Sequence, residues 1–233
     1  MKSSNLSFRI IKDRMFKAGI IIFAAITILP LLLILFYIVR NGIAVIDWQF
    51  LTSLPKPVGE VGGGISNALV GTLMLIVIAC AIAIPLGVLS GIYLSERKEG
   101  KIVYLVRLSV EILQGIPSIV IGIIAYAWIV ITLGTFSAFS GGIALSIMML
   151  PVIVRATEET LKLIPDTLKE ASLSLGVPYY RTILKVILPA GASGIATGVL
   201  ISVARIAGET APLLFTAFGN PFMEMNVMKP VNS

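Results

Sequence analysis

Residues 112–154 read ILQGIPSIVIGIIAYAWIVITLGTFSAFSGGIALSIMMLPVIV, forty-three positions without one charged side chain. The hydrocarbon core of a bilayer needs about 20 apolar helical residues per crossing. The run therefore reads as two crossings joined by the turn-rich stretch from Gly134 to Gly142. Outward from it lie two more uncharged runs, Ala18 to Val39 and Val61 to Ser95. The whole chain is 57% hydrophobic and 13% charged, with a mean hydropathy of +1.01. A soluble domain keeps about a quarter of its residues charged. The fold class is thus all-α, a polytopic membrane helix bundle, with spans expected near Ala18–Val39, Asn67–Leu94, Ile112–Leu133, Ser137–Val154 and Gly191–Leu214.

The basic residues Arg9, Lys12, Arg14 and Lys17 precede the first run as they would a signal peptide. Its 22 uncharged residues exceed the roughly 7 to 15 of a cleavable apolar region, and no small-x-small site closes it, so it reads as a retained anchor. Cys80 is the single cysteine and forms no internal disulfide. Histidine is absent, which excludes histidine metal ligands, general bases and triads. The net charge of +6 points to no nucleic acid, because in a membrane chain the distribution of charge carries the information.

With the amino terminus inside, segments 1–17, 95–111 and 155–190 hold fourteen Lys and Arg, Lys98 among them, against Arg40, Lys56 and Lys229 outside. That is a positive-inside bias toward a cytoplasmic amino terminus. The outer segment 40–66, with Trp48, Pro55, Pro57 and Gly62 to Gly64, reads as an irregular loop. Pro30, Pro85, Pro117, Pro151 and Pro212 lie in or at the ends of spans and predict kinked, packed helices.

The inner segment 155–190 predicts a short helix from Pro165-Asp166, capped by Asp166 or Thr167. Leu168, Ser172 and Leu175 share its face, and Gly176 ends it in a left-handed residue. Pro178 opens a second short helix. In the fifth span, Arg205 and Glu209 lie four apart at expected bilayer depth, where a charge costs about 2.5 to 3.5 kcal/mol. They should therefore face the bundle interior or a water-filled path, with Pro212 opening the helix beside them. Arginine suits an oxyanion because its planar fork binds two oxygens at once; a purely structural ion pair is the alternative. Arg155 and Glu158 form a second i, i+3 pair, which the positive-inside rule alone would also explain.

The spacing of Glu170, Ala171, Gly176, Leu188 and Pro189 resembles the E-A-A, G, I-x-L-P loop of ABC importer permeases, with Ser172 and Val186 replacing Ala and Ile. Together with Leu161–Asp166, Ala204–Ala217, Gly62–Gly64, Pro85–Val88, Gly91–Tyr93 and Pro117–Val120, it makes the chain from about residue 60 onward similar to the PstA-type permease family of phosphate importers. The resemblance implies a MetI-like bundle spanning the cell (inner) membrane. It also implies ATPase coupling through Glu170, Ala171, Gly176, Leu188 and Pro189. The implied partners are a PstC-type permease, a PstB-type ATPase dimer and a PstS-type binding protein that delivers inorganic phosphate.

Family members have six spans, so residues 1–17 are expected as a cytoplasmic segment, 18–218 as the permease domain, and 219–233 as an outer segment cut short of a sixth helix. The chain has no G-x-x-x-x-G-K-[ST] loop; its Gly100-Lys101 is followed by Ile102, so energy must come from a partner and no cofactor of its own is expected. Another-oxyanion permease would share the loop without the Arg205 to Pro212 run, a secondary carrier would need no docking loop, and a scaffold would give no reason for charges at depth.

Overall fold

In a computed structural model describing residues 4–233 other than 58, 61 and 98, with side chains from Phe8 onward, the uncharged runs become helices. Lys98, counted above among the inner cations, lies outside the described residues. The chain divides into two compact units, Met1–Thr52 and Ser53–Ser233. In the first, helix α1 (Ser4–Gly42) runs unbroken through Pro30 and exposes apolar side chains on every face. A helix apolar all round needs lipid or protein around it. Part of the expected loop after it is a short helix, α2 (Trp48–Thr52), because the Asp47 carboxylate accepts the Phe50 N–H at 2.6 Å and caps its first turn.

The second unit is built on α3 (Ser66–Glu96) and α6 (Ala138–Lys162). Along α3 a buried stripe recurs every fourth residue as Gly71, Leu75, Ala79, Ala83, Gly87 and Gly91. A β-carbon on Gly87 would lie 2.7 Å from Ile153, one on Gly91 2.5 Å from Thr157, and one on Gly141 2.7 Å from Leu75. The partners advance together, so α3 and α6 run parallel in constant register. Small residues permit this approach, which dispersion must hold in lipid because apolar side chains gain nothing there by leaving water.

The third span is shorter than expected. Residues 112–115 belong to α4 (Lys101–Gly115), which meets α5 (Ser118–Leu133) at 109°. Gly115 and Pro117 end the first helix, since Pro117 donates no N–H and restrains the residue before it. α4 buries Val103 and Val110 against Leu94 and Val154, at the end of the bundle where α3 finishes. From there α5 runs back to the start of α6, with a π-helical turn at Tyr126–Val130 and left-handed Gly134 at its end.

The fourth span continues past Val154 to Lys162, because its charged residues are paired rather than exposed to lipid one by one. Beyond it come α7 (Asp166–Ser174), α8 (Tyr179–Ala190) and α9 (Ala192–Ile206), the last two bent by 67° at Gly191. α9 packs antiparallel on α6, Gly194 against Thr160 and Gly198 against Ala156. The fifth span thus ends at Ile206, not Leu214, and a short helix, α10 (Ala211–Leu214), follows. Pro212 sits in its first turn, buried against Gly122 of α5.

The last residues fold over the start of α6. Ser137, Ala138 and Phe139 donate their N–H groups to the carbonyls of Thr216, Lys229 and Val227, and Ser140 donates to the Ser137 hydroxyl. Asn67 of α3 reaches the Asn220 carbonyl at 2.8 Å. Among the described residues three helices are long and apolar enough to cross a membrane, or five if each bent pair is one span.

Candidate functional site

α7 and the first turn of α8 are joined into one element. Pro165 stands at the N-cap of α7, and neither Asp166 nor Thr167 caps it, contrary to expectation, because Asp166 already lies inside the first turn. Gly176 ends it with φ +75, as expected, and the Gly176 and Val177 N–H groups close back on Leu173 and Ser172. Pro178 stands one residue before the α8 helix rather than inside it. Of the face expected from Leu168, Ser172 and Leu175, only Ser172 is buried; its hydroxyl bonds the Thr182 hydroxyl at 2.9 Å and joins α7 to α8. The Ser that replaces the usual Ala thus has a structural partner. Leu175 is 84% exposed beside the Gly176 turn, and Glu170, Ala171 and Pro189 are also exposed, with Leu188 half-buried. Pro189 donates no N–H; in the turn before it, π-helical Ile183–Ile187, Leu188 donates to Ile183.

A three-way polar contact ties this element to α3. Glu96, the last residue of α3, receives hydrogen bonds from the Lys169 ammonium of α7 and the Tyr179 hydroxyl of α8. The Lys169 ammonium also lies 4.9 Å from the centre of the Tyr179 ring. Burial disfavours the Lys169 cation, but the bonds to Glu96 and Tyr179 outweigh it and hold its pKa above the usual lysine value.

Arg155 and Glu158 are neighbours, but at 3.9 Å that contact is the loosest in its cluster. Arg155 is held by Glu159 at 2.9 Å. The Glu158 carboxylate is almost wholly buried and is taken by Arg107 of α4 at 2.8 Å and by Lys162 one turn on. Arg107 also donates to the Leu94 carbonyl of α3. Sequence reading missed Arg107 because a lone cation in an apolar helix already satisfied the inner-charge count; its tertiary partner is 51 residues away.

Arg205 and Glu209 lie where α9 breaks. The Gly208 and Glu209 N–H groups reach back only three residues, to Arg205 and Ile206, and the helix stops there, ahead of Pro212 rather than because of it. The opening therefore lies at Gly208–Thr210. Continuing the α9 register two turns past Gly198 and Ala156 brings Arg205 level with Met149, near the middle of α6. The Arg205 side chain is 51% exposed at that depth and its Nε is 3.7 Å from the Glu209 carboxylate, beyond hydrogen-bond length. Glu209 is mostly buried and lines a cavity of about 80 Å³ with Thr72, Leu75, Leu145, Ile206 and Thr210.

Comparisons with known proteins agree with this architecture. Residues 83–232 match the family described as binding-protein-dependent transport system inner membrane component. The phosphate transport system permease protein PstA of Yersinia pestis is 42% identical over 202 residues, which cover 86% of this chain and 68% of that protein. That of Mycobacterium leprae is 40% identical over 193 residues, covering 81% and 64%. Among solved structures, the MetNI methionine ABC transporter in an inward-facing conformation superposes with a TM-score of 0.54 at 25% identity, over 64% of this chain and 71% of that one. The chain spans about two thirds of the length of these relatives.

Proposed function

Because the chain belongs to the inner membrane components of binding-protein-dependent transport systems, and within them to the PstA-type permeases, we propose that it is the membrane-spanning subunit of an ATP-driven importer of inorganic phosphate. A second permease of the PstC type completes the path, an external binding protein of the PstS type delivers phosphate, and a PstB-type ATPase dimer hydrolyses ATP. The exposed element from Asp166 to Pro189, with Leu175 projecting beside Gly176, docks into that ATPase. The charge bias supports an amino terminus and docking loop on the cytoplasmic side.

One observation carries the phosphate path: the Arg205 guanidinium is half exposed at mid-depth, at a helix break, and only loosely engaged by Glu209. A cation on an outward lipid-facing surface at that depth would be expensive, so its exposed side faces the partner permease or water. Its planar fork can take two phosphate oxygens, while Glu209 keeps the anion from being held too tightly. Arg155, half exposed nearer the docking loop, and Glu158 behind it form a second polar step.

The test is phosphate uptake by the assembled complex. Arg205→Gln should abolish uptake with all subunits still associated, and Arg205→Lys should recover little, since an ammonium lacks the bidentate geometry. A structural pair predicts instead that removing both charges together restores function. Near-normal uptake by Arg205→Gln, Glu209→Gln would therefore end the pathway role.

A further inference from the structure

The docking element has two covalent routes into the bundle, and neither is a continuous α-helix. One leaves α6 at Lys162 and crosses the non-helical Leu163–Pro165 before α7 begins. The other passes through the π-helical turn at Ile183–Ile187, then Pro189, then the 67° bend at Gly191. A π turn or a proline interrupts the regular ladder of a helix, so neither route is a stiff rod. The tip of the element, α7 with the first turn of α8, is held together by the bond between the buried Ser172 and Thr182 hydroxyls.

Beside the apolar cluster that Ile183 and Ile187 of α8 share with Leu161 of α6 and Ile92 of α3, the element has a polar, charge-bearing contact with α3. Lys169 from α7 and Tyr179 from α8 meet on the same carboxylate, at the very end of the 31-residue helix α3. That helix is locked along its length to α6 by the small-residue stripe, and α9, which carries Arg205, packs on α6. We infer that Glu96 is a positioning residue for transport, the polar clamp that keeps movement of the docking element in step with α3 and from there with the helices bearing the substrate path. The inference rests on the docking role proposed above, and a packed element with two alternative arrangements is what lets such a contact transmit.

Its test uses the whole complex in proteoliposomes, with phosphate uptake and ATP hydrolysis measured in the same vesicles. Glu96→Ala and Lys169→Met should each lower uptake per ATP about fivefold, the low end of what one coupling contact carries, while hydrolysis continues. Reversing the charges together, Glu96→Lys with Lys169→Glu, should restore most of the ratio. A merely structural contact would lower uptake and hydrolysis in proportion, and that result, an unchanged ratio, or a charge reversal that restores nothing, overturns the inference. A Leu175→Cys cross-link to the ATPase separates the two levels. If it forms in both the unaltered and the Glu96→Ala backgrounds while the ratio stays unchanged, this inference fails alone; if it does not form in the unaltered background, the docking role fails and takes the inference with it.

Discussion

Replacing Gly198 with alanine tests the seam between α6 and α9. The added methyl would lie 2.3 Å from the Ala156 β-carbon, while the next atom, the Ala156 α-carbon, is 3.8 Å away. Carbon atoms pack at about 3.5 to 4.0 Å, so α9 must retreat by roughly 1.5 Å along that line, or the chain must strain. Overpacking of this kind costs about 1 to 3 kcal/mol. The clash involves one methyl, so moving it across the seam should remove it: Ala156→Gly with Gly198→Ala keeps one glycine and one alanine in each pair, and their helix-propensity difference of about 1 kcal/mol cancels. Purified chain in mixed micelles, titrated with SDS and followed by far-ultraviolet circular dichroism, should unfold earlier for Gly198→Ala and return close to the parent for the double variant. In the complex the single variant should also lose uptake, because α9 carries Arg205. A double variant as unstable as the single one would show that the close approach at Gly198 is not what sets the spacing.

Gly176→Leu meets open space around its β-carbon, yet its φ of +75 makes a side chain cost about 1 kcal/mol or more in the left-handed region; insertion should survive while uptake per ATP falls in the reconstituted complex, and a normal ratio would refute the turn's part in docking. Lys169 has a folded pKa above its unfolded value, so its contribution is present in full below roughly pH 10.4 and is lost as pH rises through the folded value. Melting of the parent chain and Lys169→Met in detergent from about pH 8 upward should give curves that stay apart at the lower end and draw together as pH rises; a separation that grew with pH would reverse the argument.

Much of this was legible from residue order because a bilayer admits few solutions: runs of about 20 uncharged residues must be helices. The loop was legible because Gly176 and Pro178 punctuate it. What escaped was mostly tertiary. The end of the fourth span moved because its charges found partners across the bundle, so α6 ran on through Arg155 and Glu158 to Lys162. Local spacing paired Arg155 with Glu158, but burial gave that carboxylate to Arg107, which no periodicity links to it. Glu96 and Lys169 are 73 residues apart and read singly as ordinary ends of helices. The i, i+4, i+7 face on α7 failed at Leu168 and Leu175 for a different reason: a helix that projects from the bundle has no core to bury them against.

The chain's own carbonyls, from Thr216, Val227 and Lys229, occupy the amides at the start of α6. A helix start is otherwise a ready trap for anions, through its unpaired donors and its positive dipole end. Stoppered in this way, the first amides of α6 are spent within the chain and are not open donors. On the phosphate path proposed above, recognition would then fall to charged side chains rather than to the backbone at this helix start.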